Sequence, residues 1–307
     1  MKLRKWLGAI AVAAGTSLTG FAADPVAKIT EPSLVTFGTL RVMPDGEAKT
    51  KAAAWLTGLG KMDAAKFDAI WASDKSALDK TIASIVLGKP EAQTALDDAR
   101  DITKDAPTSV PAVIADEKDA FVKANLGAAY ARALAGKKVY EEALLAVKDV
   151  KAEEAVDPSA FLFFKAVAEH SIAGYQKIKK IDATASLVRL LDDVTDAPDR
   201  YKMVATLMFF DLQNWSKDEK DLSNIGKLMD NSGRRLDLAR GGQTTQDIQK
   251  RIIFRLDEKI KDLENQDKGD GVPGGACPDG GIPGNARGLQ PSKPADRSAL
   301  PPTGAQS

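Results

Sequence analysis

The feature that most constrains this chain is a helical unit that occurs twice. Asp149-Val150 is followed by the double aromatic Phe163-Phe164, and Asp193-Val194 by Phe209-Phe210. The two offsets are 44 and 46 residues. A period near 45 fits paired-helix repeats, in which one hairpin cannot bury its apolar face and must stack on the next. Stacked hairpins more often make surfaces for partners than active sites. The expected fold is all-α: stacked antiparallel helical hairpins of tetratricopeptide-like type, a C-terminal amphipathic helix and a disordered tail.

The start reads as a secretory signal over residues 1–22. Lys2, Arg4 and Lys5 precede a short apolar run from Leu7 to Leu18, and Gly20-Phe21-Ala22 places small residues before a cut after Ala22. The run is shorter than the roughly 20 residues a membrane span needs. The alternative is an uncleaved N-terminal anchor. No other stretch is apolar enough to span a bilayer, so the expected location is the periplasm or cell envelope.

Lys and Arg number 43, as do Asp and Glu, and the signs are mixed along the chain. Nothing resembles the clustered basic face that nucleic acid requires, and no polybasic run suggests an anionic membrane surface. Cys277 is the single cysteine, so no intramolecular disulfide forms. An exported chain without that staple is held by packing.

Residues 23–110 read as an N-terminal helical region behind an extended lead-in, in which Ile29, Leu34, Val35, Leu40 and Val42 are free to pack on the body. Helix signals begin at Gly46. Phe67, Ile70 and Trp71 mark a second helix, and Leu78, Ile82, Ile85 and Val86 a third, closed by Gly88 and Pro90. A polar helix follows from Glu91. Pro107 and Pro111 then mark the best boundary. Residues 111–266 read as the helical-repeat domain. Asp157-Pro158 and Asp196-Ala197-Pro198 are acidic caps with an early Pro, a helix-start signal. Phe164 and Phe210 are expected at corresponding inward positions, with Met203 and Leu207 also inward. In the last helix, Thr245 to Gln266, the heptad seam Ile253, Leu256, Ile260 and Leu263 either caps the stack or meets a second chain. Residues 267–307 hold nine Gly and seven Pro. Such a segment buries too little to offset its conformational entropy and reads as a disordered tail.

Catalytic chemistry is short of residues. His170 is the sole histidine, and neither a Ser–His–Asp triad nor a zinc site can be assembled without it and Cys277. Its simplest role is a surface or packing residue on a helix. The acidic pairs Asp97-Asp98 and Asp192-Asp193 leave carboxylate-only hydrolysis as the alternative function. Asp267-Lys268-Gly269-Asp270-Gly271 lacks the alternating oxygens and distal Glu of a calcium loop. The chain therefore reads as a non-enzyme without metal or cofactor. The expected role is a protein–protein interaction or scaffold module for an unknown protein partner, with self-association through helix 245–266 as a further route.

Leu126-Gly127-Ala128-Ala129-Tyr130 resembles the signature stretch of tetratricopeptide hairpins. Arg234-Arg235-Leu236-Asp237-Leu238-Ala239-Arg240, then Gln243-Thr244-Thr245-Gln246 and Arg255-Leu256-Asp257-Glu258-Lys259-Ile260, resemble a segment of an exported protein family of planctomycete-type bacteria. The resemblance implies an exported helical protein and assigns no catalytic residue, because that family has no assigned activity.

Overall fold

The computed structural model describes residues 38–175 and 177–269. The expectations for the signal, most of the lead-in, Cys277 and the tail beyond Gly269 lie outside these residues. Among them the protein is all-helical, with twelve α-helices and one short 3-10 turn. It divides into a unit ending at Lys259 and a second beginning at Ile260. In the second, the described residues continue the last helix, and Ile260 and Leu263 are exposed.

Four helices precede the proline break: α1 (Asp45–Gly58), α2 (Ala64–Trp71), α3 (Ala77–Gly88) and α4 (Glu91–Arg100). After it come α5 (Ala112–Ala115), α6 (Ala120–Gly136), α7 (Tyr140–Ala146), α8 (Pro158–Ala173), α9 (Lys177–Asp192), α10 (Asp199–Asn214), α11 (Leu222–Asp237) and α12 (Gln243–Gly269). Their starts follow from local chemistry. The side chains of Asp63, Ser76, Asp119, Asp157 and Asp221 each accept a hydrogen bond from a backbone N–H of the first turn. Each such cap is worth about 1 kcal/mol. Asp157 also has Pro158 directly after it, in the first turn where no N–H is missed.

One core is shared by helices on both sides of Pro107 and Pro111. Leu56, Ile85 and Leu96 belong to the same buried cluster as Leu126, Leu134, Leu162 and Leu187. Asn125 is the polar member at its centre. Fully buried, it donates to the carbonyls of Phe121 and Glu154 and accepts from Val156 N at 2.7 Å. It thereby pins the α7–α8 connection to α6. Gly127 lies two residues further along, where α6 meets α7. A methyl group there would stand 2.6 Å from the carbonyl oxygen of Ala146. Gly127→Ala should therefore lose about 1–2 kcal/mol in a denaturant titration, although Ala is the better helix former. A gain in stability would show that α7 moves aside freely.

The stretch before α1 is tied far along the chain. Leu40 N donates to Asp193 O, and Thr195 N donates back to Leu40 O, making an isolated parallel bridge to Val194. Val42 N donates to the carboxylate of Asp196, 154 residues away. Leu40 and Met43 are buried, whereas Val42 is 37% exposed.

The two Asp-Val pairs differ in setting: Asp149 is exposed with a positive φ of 60°, whereas Asp193 is fully buried. Asp149-Val150 follows the end of α7 and Asp193-Val194 the end of α9, and each aromatic pair lies in the next helix. The ring expected inward, the second of each pair, is half-buried at Phe164, which meets Phe163 and Tyr201, and turned outward at Phe210. Phe163 and Phe209 pack on the core, whereas Phe210 is 53% exposed. Met203 and Leu207 are also exposed, at 63% and 64%, and Tyr201, Ala205 and Leu212 are the buried residues of α10. The cause is the rotation of α10. Tyr201 stacks on Phe163 with ring centroids 4.2 Å apart and planes 12° from parallel, and Ala205 allows close approach behind it. A similar correction applies to α12. Its buried row is Ile248 and Ile252 with half-buried Leu256, packed with Ile172, Tyr175, Ile225 and Leu228. Ile253 is 60% exposed. The i, i+4, i+8 row wins over the heptad row because a straight helix facing α8 and α11 follows its own 3.6-residue pitch.

Candidate functional site

His170 comes from α8, and Asp211 and Trp215 from one turn at the end of α10. The His170 Nε2 lies 2.8 Å from Asp211 Oδ2, and the Trp215 indole N–H donates to the same oxygen at 2.7 Å. Burial alone would raise the Asp211 carboxyl, but the bonds from Trp215 and His170, with charge from His170 and Lys227, hold it below the usual range. Ser171 beside His170 donates its hydroxyl to Val167 O, within its own helix. The acidic pairs are taken up locally. Asp193 is fully buried against Arg189, Asp97 accepts from Gln93, and Asp98 pairs with Lys104.

A dense ionic network lies close by. The Arg234 guanidinium makes a two-pronged contact with Glu141, at 2.8 and 2.9 Å, and donates to Lys138 O. Arg235 reaches Glu141 and Thr245, and Arg240 reaches Glu142 and Pro107 O. The Tyr175 hydroxyl donates to Glu141 as well. Burial pushes the Glu141 carboxyl up, yet the Arg234 bonds and charge, helped by Tyr175, outweigh it and hold the carboxyl at about 2. Burial first, then the Glu141 charge, push the Tyr175 hydroxyl up to about 12. The network locks α7 to α11 and to the start of α12. The arginine-rich stretch that carried the family resemblance is thus the clamp of the fold.

Beside this clamp a cleft of about 310 Å³ opens between α8 and α11, lined by Tyr140, His170, Trp215, Lys227, Asn231 and Arg234 among others. A neighbouring cleft of about 330 Å³, bordered by Lys180, Leu228 and Arg251, shares Gly174 and Trp215 with the first. Two ammonium groups lie over the Trp215 ring: Lys227 Nζ at 4.7 Å from its centroid and Lys180 Nζ at 5.4 Å. Asn231 Oδ1 and Arg234 Nε are buried with no hydrogen-bond partner. None of Trp215, Lys180, Lys227 and Asn231 stood out in the sequence. They come from α9, the end of α10 and α11 at no motif spacing. The available signal was a tryptophan closing an amphipathic helix just ahead of a Lys- and Arg-rich segment.

A second surface is the outward row of α10, Met203, Leu207 and Phe210, which recurs at helical spacing on one face. Among the described residues no helix is long and apolar enough to cross a membrane, and no group of three or more His, Cys, Asp or Glu side chains is placed to hold a metal ion. No family model matches this chain, and neither a curated protein nor a solved structure matches it.

Proposed function

We propose that this is an exported, non-enzymatic protein-binding module of the cell envelope, built as a tetratricopeptide-like stack of helical hairpins. The order of the elements supports the stack: an Asp-Val pair follows α7 and another follows α9, and α8 and α10 each carry an aromatic pair. The observation that carries the binding role is the α10 row. Three large apolar side chains at i, i+4 and i+7, each more than half exposed, form a stripe that α10 turns away from its own core. Such a row complements the apolar face of an amphipathic partner helix, whose anchors recur at the same spacing. The export part rests on the charged and apolar residues of the first 22 positions.

The test uses the full chain carrying Met203→Glu and Leu207→Glu. Wild type, crosslinked in its native envelope, should recover a partner peptide joined at α10, and the double variant should lose it. Both positions already face water, so the melting temperature should stay within about 2 °C. Recovery of the same α10-joined partner by the variant would sink the reading.

A further inference from the structure

A larger cleft, of about 680 Å³, opens among α3, α4 and α6. Helix α6 contributes the small residues Ala129, Ala133 and Gly136, which fall at i, i+4 and i+7 on one face, with Arg132 beside them. A side chain at Gly136 would meet nothing within 4 Å, so the space next to it is open. Four cations line this cleft, Lys75, Arg100, Arg132 and Lys137, against Asp79 as its one acid. The whole chain carries 43 basic and 43 acidic residues, so the local excess departs from its balance. The four come from the turn before α3, the end of α4, the middle of α6 and the turn after it, which is why no basic run marks them in the sequence. Their charge is little used inside the protein. Lys137 Nζ donates to Asp101 O at 2.8 Å and Lys104 O at 3.1 Å, carbonyls that fix the ammonium without neutralising it. The Arg132 guanidinium lies over the Phe164 ring, 5.6 Å from its centroid, and makes no ion pair among the described residues. Such a ring contact takes up the face of the guanidinium rather than its N–H edge. Arg100 meets Asp97 at 3.6 Å with both side chains more than half exposed, a weak kind of pair. Lys75 is exposed and has no ion pair among the described residues. Asp79 accepts the hydroxyl of Ser76 at the start of its own helix.

We propose that the α3–α4–α6 cleft binds a small polyanion, a molecule with two or more phosphate or carboxylate groups, through Lys75, Arg100, Arg132 and Lys137. A cleft lined by one sign of charge focuses the field and concentrates counter-ions. Arginine offers an oxyanion two parallel N–H groups and lysine a point charge, and both make the strong, charge-assisted kind of hydrogen bond. A single oxyanion group cannot engage cations from four separate segments, whereas several groups on one molecule divide them. The volume falls within the range of small-ligand sites. Among the described residues no aromatic ring lines the cleft, so it gives a base nothing to stack on. The site shares no residue with the α10 stripe, and neither reading depends on the other.

The probes are tripolyphosphate and citrate, with inorganic phosphate and acetate as their one-group counterparts. Titration calorimetry on the full chain should show tripolyphosphate or citrate binding at least about tenfold tighter than its counterpart. Whichever of the two leads identifies the preferred group as phosphate or carboxylate. Raising the salt from about 50 to about 300 mM should weaken the binding severalfold. Lys75→Gln and Arg132→Gln should each weaken it about tenfold, and Lys250→Gln, at an exposed lysine of α12, should leave it unchanged. Both cleft positions are exposed, so the variants should melt with the wild type. If Arg132→Gln melts early through loss of its contact with Phe164, Lys75→Gln carries the test alone. Equal binding of the polyanions and their one-group counterparts would overturn the proposal. So would cleft variants that bind as the wild type does, a Lys250→Gln loss as large as theirs, or absence of heat from both polyanions up to about 20 mM. Hexaglutamate binding tighter than either polyanion would replace the small molecule with an acidic protein segment and equally overturn it.

Discussion

Replacing Glu141 with Gln should lower the folding stability by about 3–5 kcal/mol at pH 7. The carboxylate is the shared partner of three guanidinium groups whose side chains are all close to nine-tenths buried. Glu142 remains for Arg240 alone, so Arg234 and Arg235 would keep their charge with nothing to balance it. A neutral amide preserves the shape and removes the charge, so the loss measures electrostatics rather than packing. The pH dependence gives a second reading. In the folded protein the carboxyl titrates at about 2, below its ordinary value of 4.5. Its contribution is therefore complete above about pH 5, and it disappears as pH falls towards 2. The gap between wild type and Glu141→Gln should shrink by roughly 1–2 kcal/mol between pH 7 and pH 3. Urea titrations of both proteins at the two pH values make the comparison, and a gap that does not change with pH would show that the amide substitution acts through packing.

Two phenylalanines one helix apart should behave in opposite ways. Phe161 of α8 is buried in the main core, whereas Phe210 of α10 stands more than half in solvent. Phe161→Ala should cost about 3–5 kcal/mol. Phe210→Ala should cost under about 1 kcal/mol, because little apolar area leaves the interior. Thermal melts of the two variants suffice. A large loss at Phe210 would return that ring to the interior and remove the exposed stripe on which partner binding rests.

These predictions mark where the sequence was legible and where it was not. Helix existence was readable because its determinants are local. Asp157-Pro158 starts α8 as expected, Gly88 closes α3, and Phe121, Leu126, Tyr130 and Leu134 point inward along α6. The facing of α10 was not readable. Met203, Leu207 and Phe210 are apolar at the correct period, and only the stacking of Tyr201 on Phe163 decides that they turn outward. In α12 two apolar rows lie one residue apart, Ile252 and Ile253, and neighbours on α8 and α11 choose between them. The aromatic pairs were visible, although the rings that pack on the main core are Phe163 and Phe209 and not the second of each pair. The Trp215 cleft was invisible for a different reason. Its groups are scattered over α8 to α11, and no single segment holds two of the opposing walls.

The bridge between Leu40 and Val194 governs the order in which the chain can complete itself. The partners of Leu40 and Val42 lie at residues 193–196, so nothing that emerges earlier can receive them. Closing so long a loop costs entropy before any contact repays it, which places this docking late in folding. Until then Leu40 and Met43 lack the cover they have in the finished protein, and the backbone from Asp192 to Thr195 lacks its hydrogen-bonded edge. The short strip ahead of α1 therefore acts as a clasp: it is synthesised first and fastened last, and it records that α9 has reached its place.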